Sequence, residues 1–231
     1  MRVNQRQLKQ LQRVRRHHYH PLIHKLHKKH RISHKTLFYI KEYGPKTHVA
    51  GTIIRESVKI LLLASIISSL GGLSIEHIKT AFLSIMPLVI LMPALNDMIG
   101  DFGSIVSSRF STMLYEGKVS GSLFKNQELR TLFLQISILA LSMAVLGVCV
   151  AVGVSLFSHA AVDALMAVKI LLVTILDVVI LISIIFAVSI IAGIYFFQKG
   201  EDPNNFLIPI TTSIADFGNL LLLAVLVVLF F

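Results

Sequence analysis

The chain has no tryptophan and only one cysteine, and it is poorest in acids where it is richest in bases. Without tryptophan, an aromatic belt at a membrane interface falls to Tyr115, Tyr195 and neighbouring phenylalanines. Cys149 alone excludes an intrachain disulfide. Its place within an apolar run reads as that of a small packing residue rather than a reactive thiol. The first 48 residues hold one acid, Glu42, against 13 lysines and arginines and eight of the ten histidines. The other 183 residues carry 9 basic and 11 acidic side chains, so the formal charge of +10 sits wholly ahead of the first apolar run. No apolar stretch follows the early bases closely enough for a cleavable signal peptide. No nucleophile–base pair or bound-metal triad is present either, so the sequence offers no footing for an enzyme.

What is abundant is apolar length. Of 231 residues, 55% are hydrophobic, and the mean hydropathy of +0.76 is too high for a soluble domain of this size. A window of about 20 apolar residues predicts an all-α membrane protein with five transmembrane helices, near 57–73, 80–115, 131–157, 164–197 and 206–231. Gly71-Gly72 is expected to close the first. The second is expected to break between Pro93 and Gly103. The fourth, at 34 residues, would extend ~51 Å against a hydrocarbon core of about 30 Å. Lacking Gly or Pro near 174–177, it reads as one long tilted helix. An odd number of spans puts the termini on opposite sides. Lys118, Lys125, Arg130 and Lys199 share the side of the basic tail, so the positive-inside rule expects a cytoplasmic N-terminus and Phe231 outside the cell membrane. The expected organisation is a basic, His-rich tail over 1–48 and a membrane domain over 49–231.

Two spans carry polar groups at bilayer depth. In PLVILMPALNDMIGDFGSIVSSRFSTMLYEG, Pro93, Gly100 and Gly103 surround Asn96, Asp97 and Asp101. In DPNNFLIPITTSIADFGNLLLLAVLVVLFF, Asp202-Pro203 reads as a helix start, and Asp216 follows within an apolar run. Lipid tolerates neither a free carboxylate nor unpaired backbone, so such groups face protein or a wet path. Thr211, Thr212, Ser213 and Asn219 add oxygens within about a turn of Asp216. Hard divalent cations take oxygen ligands, and Mg²⁺ keeps several waters, so a few carboxylates along a wet path suffice. The plain alternative ties Asp216 to hydroxyls of a neighbouring helix or to Arg109. Asp177, a third acid in the spans, either faces the same path or caps a polar contact between helices. The Asp-Phe-Gly tripeptide occurs twice, but no Gly-rich or catalytic loop accompanies it, so a kinase is excluded.

MPALNDMIGDFGSIVSSRFSTMLYEG and DPNNFLIPITTSIADFGNLLLL, in this order, resemble the two signatures of the MgtE superfamily of magnesium and divalent cation transporters. The Ser-Arg-x-Ser-Thr and Asp-Pro-x-Asn patterns are similar to those of its eukaryotic solute-carrier branch. The resemblance covers about 55–231. It implies five helices that pair as a homodimer, with the ion path at the subunit interface between the second and fifth spans. It places the central pore aspartate at Asp216 and implies Mg²⁺ as the transported ion, with Mn²⁺ or other divalent cations also open. Gly100-Asp101 stands where the family usually has Gly-Asn, which adds a carboxylate to each subunit. The soluble regulatory domains of bacterial members are not expected, because 48 residues cannot fold as them.

The metal set that this reading offers is Asp216, Asp101, Asp97, Asn96, Thr212 and Asn219, with Asp177, Arg109 and Ser213 as further candidates. In the tail, His20, His24, His27 and His34 fall on one helical face, with Pro21 at a plausible first turn. That segment suits attraction to anionic headgroups, and also metal sensing through imidazoles. It carries no RNA- or DNA-binding motif, so nucleic acid is not an expected partner. Two functions follow: divalent cation transport through a carboxylate-lined pore, or a membrane metal sensor or scaffold working through the tail.

Overall fold

The computed structural model describes residues 49–119, 126–199 and 202–231. The basic tail, with His20, His24, His27 and His34, lies outside the described residues. Five α-helices make up the described chain: α1 Val49–Leu83, α2 Met86–Tyr115, α3 Gln127–Phe157, α4 Ala164–Lys199 and α5 Pro203–Phe230. All five are long and apolar enough to cross a membrane. In hydrocarbon a helix satisfies its own backbone, which is why runs of this composition settle on no other form.

Two expectations about helix breaks are overturned. Helix α2 runs unbroken through Pro93, Gly100 and Gly103. Proline removes one ladder bond, but leaving the helix there would strand several backbone groups at membrane depth. Gly103 serves packing instead: a Cβ on it would stand 3.2 Å from the Thr211 side chain of α5. Helix α1 likewise runs past Gly71-Gly72 to Leu83. The chain turns at Ser84–Ile85, so the second helix starts at Met86, with Pro87 in its first turn, rather than near Thr80.

Local chemistry fixes the ends. Asn126 caps α3, its Oδ1 accepting from the backbone N–H of Glu128 at 3.0 Å and Leu129 at 3.3 Å, while its Nδ2 donates to the Lys118 carbonyl at 2.7 Å. Asp202 caps α5 by accepting from the Asn204 N–H at 3.1 Å. Gly117, at φ +70°, closes α2 in a Schellman turn through Gly117 N–H to Leu114 O and Lys118 N–H to Met113 O. Lys118 also lies 3.1 Å from Glu116 and 3.6 Å from Glu128. The hydrogen bond and charge of Glu116, then the charge of Glu128, hold its ammonium pKa above the usual lysine value.

Helix α5 is the hub, packing against α1, α2 and α4, while α2, α3 and α4 pack on one another. Helix α1 leans on α5 and touches α2 only lightly. Phe110, Leu95, Ile99, Leu181, Ile185 and Leu207 form the fully buried centre. Leucines and isoleucines such as Leu62, Ile66, Leu73, Ile138 and Ile191 point outward. An exposed apolar surface this extensive suits lipid and not water.

Helix α3 ends in the same Schellman pattern as α2, with His159 N–H to Leu156 O and Ala160 N–H to Ser155 O. The left-handed position there is filled by His159 at φ 56°. A side chain in that conformation costs about 1–2 kcal/mol. His159→Gly is therefore expected to raise the unfolding temperature by about 2–4 °C in detergent. An unchanged or lower melting point would mean that the imidazole makes a stabilising contact there.

Candidate functional site

The helical period puts Pro93, Asn96, Asp97, Gly100, Asp101 and Ser104 on one face of α2, and Thr212, Asp216 and Leu220 on one face of α5. The two faces meet in a cleft of about 560 Å³, which these residues and Met92 line. Asp97 and Asp101 are exposed in it, one turn apart, and Asn96, Thr212 and Asp216 are half-buried along its wall.

Asp216 is held from two sides. Its Oδ1 accepts from Asn96 Nδ2 at 2.8 Å and its Oδ2 accepts from Ser68 Oγ of α1 at 3.0 Å. Asn96 Oδ1 in turn accepts from Asn219 Nδ2 at 3.0 Å. One network thus joins α1, α2 and α5 around the carboxylate. Both partners of Asp216 are neutral, so its charge is oriented but not cancelled. This is the neighbouring-helix hydroxyl of the plain alternative, at Ser68; Arg109 is exposed and outside the cleft lining. Thr212 donates to the Ile208 carbonyl at 2.9 Å, which leaves its oxygen lone pairs open to the cleft. Below the cleft, Ser107 and Thr211 hydroxyls lie 3.0 Å apart and pin α2 to α5.

The structure therefore brings Asn96, Asp97, Asp101, Thr212 and Asp216 together and leaves four candidates elsewhere. Asn219 is fully buried behind Asn96. Ser213 is buried with its hydroxyl turned back to the Ile210 carbonyl at 2.9 Å. Asp177 is fully buried on α4, and it does not line the cleft. Ser68 and Ser104 went unnoticed in the sequence. The only signal for Ser68 is its place in the small-residue stretch ASIISSLGG, the composition that lets helices approach closely.

Chemically the cleft is an acceptor surface. Three carboxylates, an amide and two hydroxyls line it, and among the described residues no basic side chain does. That charge pattern concentrates cations. Among the described residues no three His, Cys, Asp or Glu side chains come close enough to hold one ion between them. The arrangement suits an ion that keeps part of its water and is steered by spaced oxygens.

A model of the MgtE family, described as a divalent cation transporter, matches residues 92–226, more than half of the chain. The match begins at Met92, on the cleft wall, and takes in every cleft residue of α2 and α5. No curated protein and no solved structure matches the chain.

Helix α1 reaches the site because Gly71 lets it. A Cβ there would lie 3.1 Å from the Phe217 Cα and 3.4 Å from the Asp216 carbonyl oxygen. Gly71→Val puts its bulk against backbone that cannot rotate away, so α1 must lift from α5 and Ser68 must leave Asp216. The expected result is a loss of about 1–3 kcal/mol in detergent unfolding together with weaker divalent binding, read as a smaller metal-induced rise in melting temperature. Gly72, with open space around it, is the control: Gly72→Val should leave metal binding unchanged.

Proposed function

Because the chain belongs to the MgtE family of divalent cation transporters, we propose that it carries Mg²⁺ across a membrane along the cleft between α2 and α5. The observation that carries this reading is the convergence of Asp97, Asp101 and Asp216 with Asn96 and Thr212 on one surface that has no basic lining among the described residues. Mn²⁺ and other small divalent ions suit the same oxygens. A partly hydrated ion meets the exposed Asp97 and Asp101 first. Asp216, fixed by Asn96 and Ser68, then offers the lone pairs that remain. Several weak carboxylate contacts in series let an ion bind and still leave, which conduction requires.

One copy lines the path on one side only, with α2 and α5. A second copy placed against that face would complete it and double the carboxylates, so the working unit is a homodimer. By the positive-inside rule the basic segment 1–48 belongs in the cytoplasm, where its charge suits anionic headgroups, with the C-terminus outside.

Asp216→Ala is expected to cut Mg²⁺ uptake into proteoliposomes by more than about tenfold, the scale of one lost charge-assisted contact. Folding should be kept, since the mutation also removes a half-buried charge. Normal uptake by this variant would sink the cleft assignment. Asp101→Asn should weaken Mg²⁺, Mn²⁺ and Ca²⁺ stabilisation in melting curves; curves identical to wild type would mean that Asp101 does not meet the ion.

The dimer has its own test. Ser104 lines the cleft, so Ser104→Cys in a Cys149→Ala background should yield an oxidised dimer in native membranes. Absence of that band, with the protein folded and transporting, would overturn an interface at this face.

A further inference from the structure

Asp177 lies outside everything described so far. It is fully buried on α4, and neither carboxylate oxygen has a hydrogen-bond partner among the described residues. A lone carboxylate charge inside a membrane-spanning bundle costs several kcal/mol unless a positive charge meets it. Among the described residues none does. On α4 itself, the Lys169 ammonium lies 5.1 Å over the Phe231 ring and Lys199 lies 4.3 Å over Tyr195, one towards each end of the helix. On the three helices packed against α4, Asp97, Asp101 and Arg109 of α2 are exposed, as are Glu128, Arg130 and Cys149 of α3. Tyr115 of α2 packs edge-on to Phe197, and Asp216 of α5 is taken up by Asn96 and Ser68. No ion pair joins Asp177 to any described residue.

We propose that Asp177 is a second cation site, separate from the cleft, that takes one small monovalent cation and couples its binding to transport. The ligand class follows from the surroundings. A single carboxylate neutralises one positive charge, not two. On α4 it stands among Val173, Val178, Leu181 and Ile182, all at most 2% exposed like Asp177 itself, which closes it off from bulk water. The oxygen nearest along the helix is that of Thr174, buried, whose hydroxyl donates to the Ile170 carbonyl at 2.8 Å and keeps its lone pairs. The occupant is therefore a proton or a dehydrated alkali ion.

Coupling comes from packing. Leu181, one turn from Asp177, sits against Gly218, where an added Cβ would stand 2.7 Å from its Cδ2. Gly218 is two residues from Asp216. The turn of α4 after Asp177 is thus keyed into the turn of α5 that carries the cleft carboxylate. Binding at Asp177 stands independently of the cleft reading; the coupling rests on that reading.

Two measurements on the full chain separate these parts. In detergent without divalent ions, wild-type melting is followed against pH at fixed salt, and against Na⁺ exchanged for choline at fixed pH. The wild type should gain about 5 °C or more across a hundredfold rise in one of these cations, and Asp177→Asn should be flat in that series. A response to pH identifies a proton, and one to Na⁺ an alkali ion. A wild type flat in both series, or a variant that follows the wild type, overturns the site. Asp177→Ser serves if the amide variant fails to fold. In proteoliposomes, a gradient of the same cation should change wild-type Mg²⁺ flux several-fold and leave flux through Asp177→Asn unchanged. Equal responses in the two proteins overturn the coupling. A wild type without any Mg²⁺ flux would refute the cleft reading while the melting series still decides the site.

Discussion

A carboxylate can sit at bilayer depth only if the protein arranges its surroundings, and the grip on Asp216 is the interaction on which this structure turns. Neutral donors from two other helices, Ser68 of α1 and Asn96 of α2, each take one oxygen. Neutral donors orient a charge without quenching it, so the site keeps its pull on a cation. The grip also dictates packing. Helix α5 must lie against α1 and α2 together, and it does so where Gly71 and Gly103 leave space for backbone and for Thr211. A bulkier residue at either place would separate the donors from the acid.

Away from the cleft the spans obey the opposite demand. Polar groups of the spans that are not in the cleft mostly return to their own helix, as the hydroxyls of Ser142, Ser155, Thr174 and Ser183 do by bonding the carbonyl four residues back. Such bonds let hydroxyls sit in lipid or in a dry core at small cost. The cleft is set apart by acceptors not spent in this way: the exposed Asp97 and Asp101.

Long apolar runs, the Asp202-Pro203 start and the polar clusters of α2 and α5 are legible because each is a local property of the chain. The unbroken course of α2 is not. Proline and glycine read locally as breakers, whereas the reason for Gly103 is Thr211, over a hundred residues away. Nearness to Asp216 suggests Ser213 and Asn219 as ligands, and the helical period keeps them near its face, yet Ser213 spends its hydroxyl on the Ile210 carbonyl and Asn219 is buried behind Asn96. Ser68 is invisible in sequence for the same reason: its partner lies 148 residues along the chain. The family match starts at Met92, so the helix that supplies this serine stands outside the matched region.

Helix α1 is a run of 35 residues that packs chiefly on α5 and comes tight against its backbone at Gly71. In mechanical terms it is a lever with its pivot there. From Val49 to the pivot is ~33 Å of helix, and from the pivot to Ser68 only ~4.5 Å. A swing of the far end is therefore reduced about sevenfold at the serine. A displacement of ~3 Å where the basic segment joins becomes ~0.4 Å at Ser68, enough to lengthen a 3.0 Å hydrogen bond towards breaking. A pull on that end acts on the Asp216 carboxylate through a reducing gear.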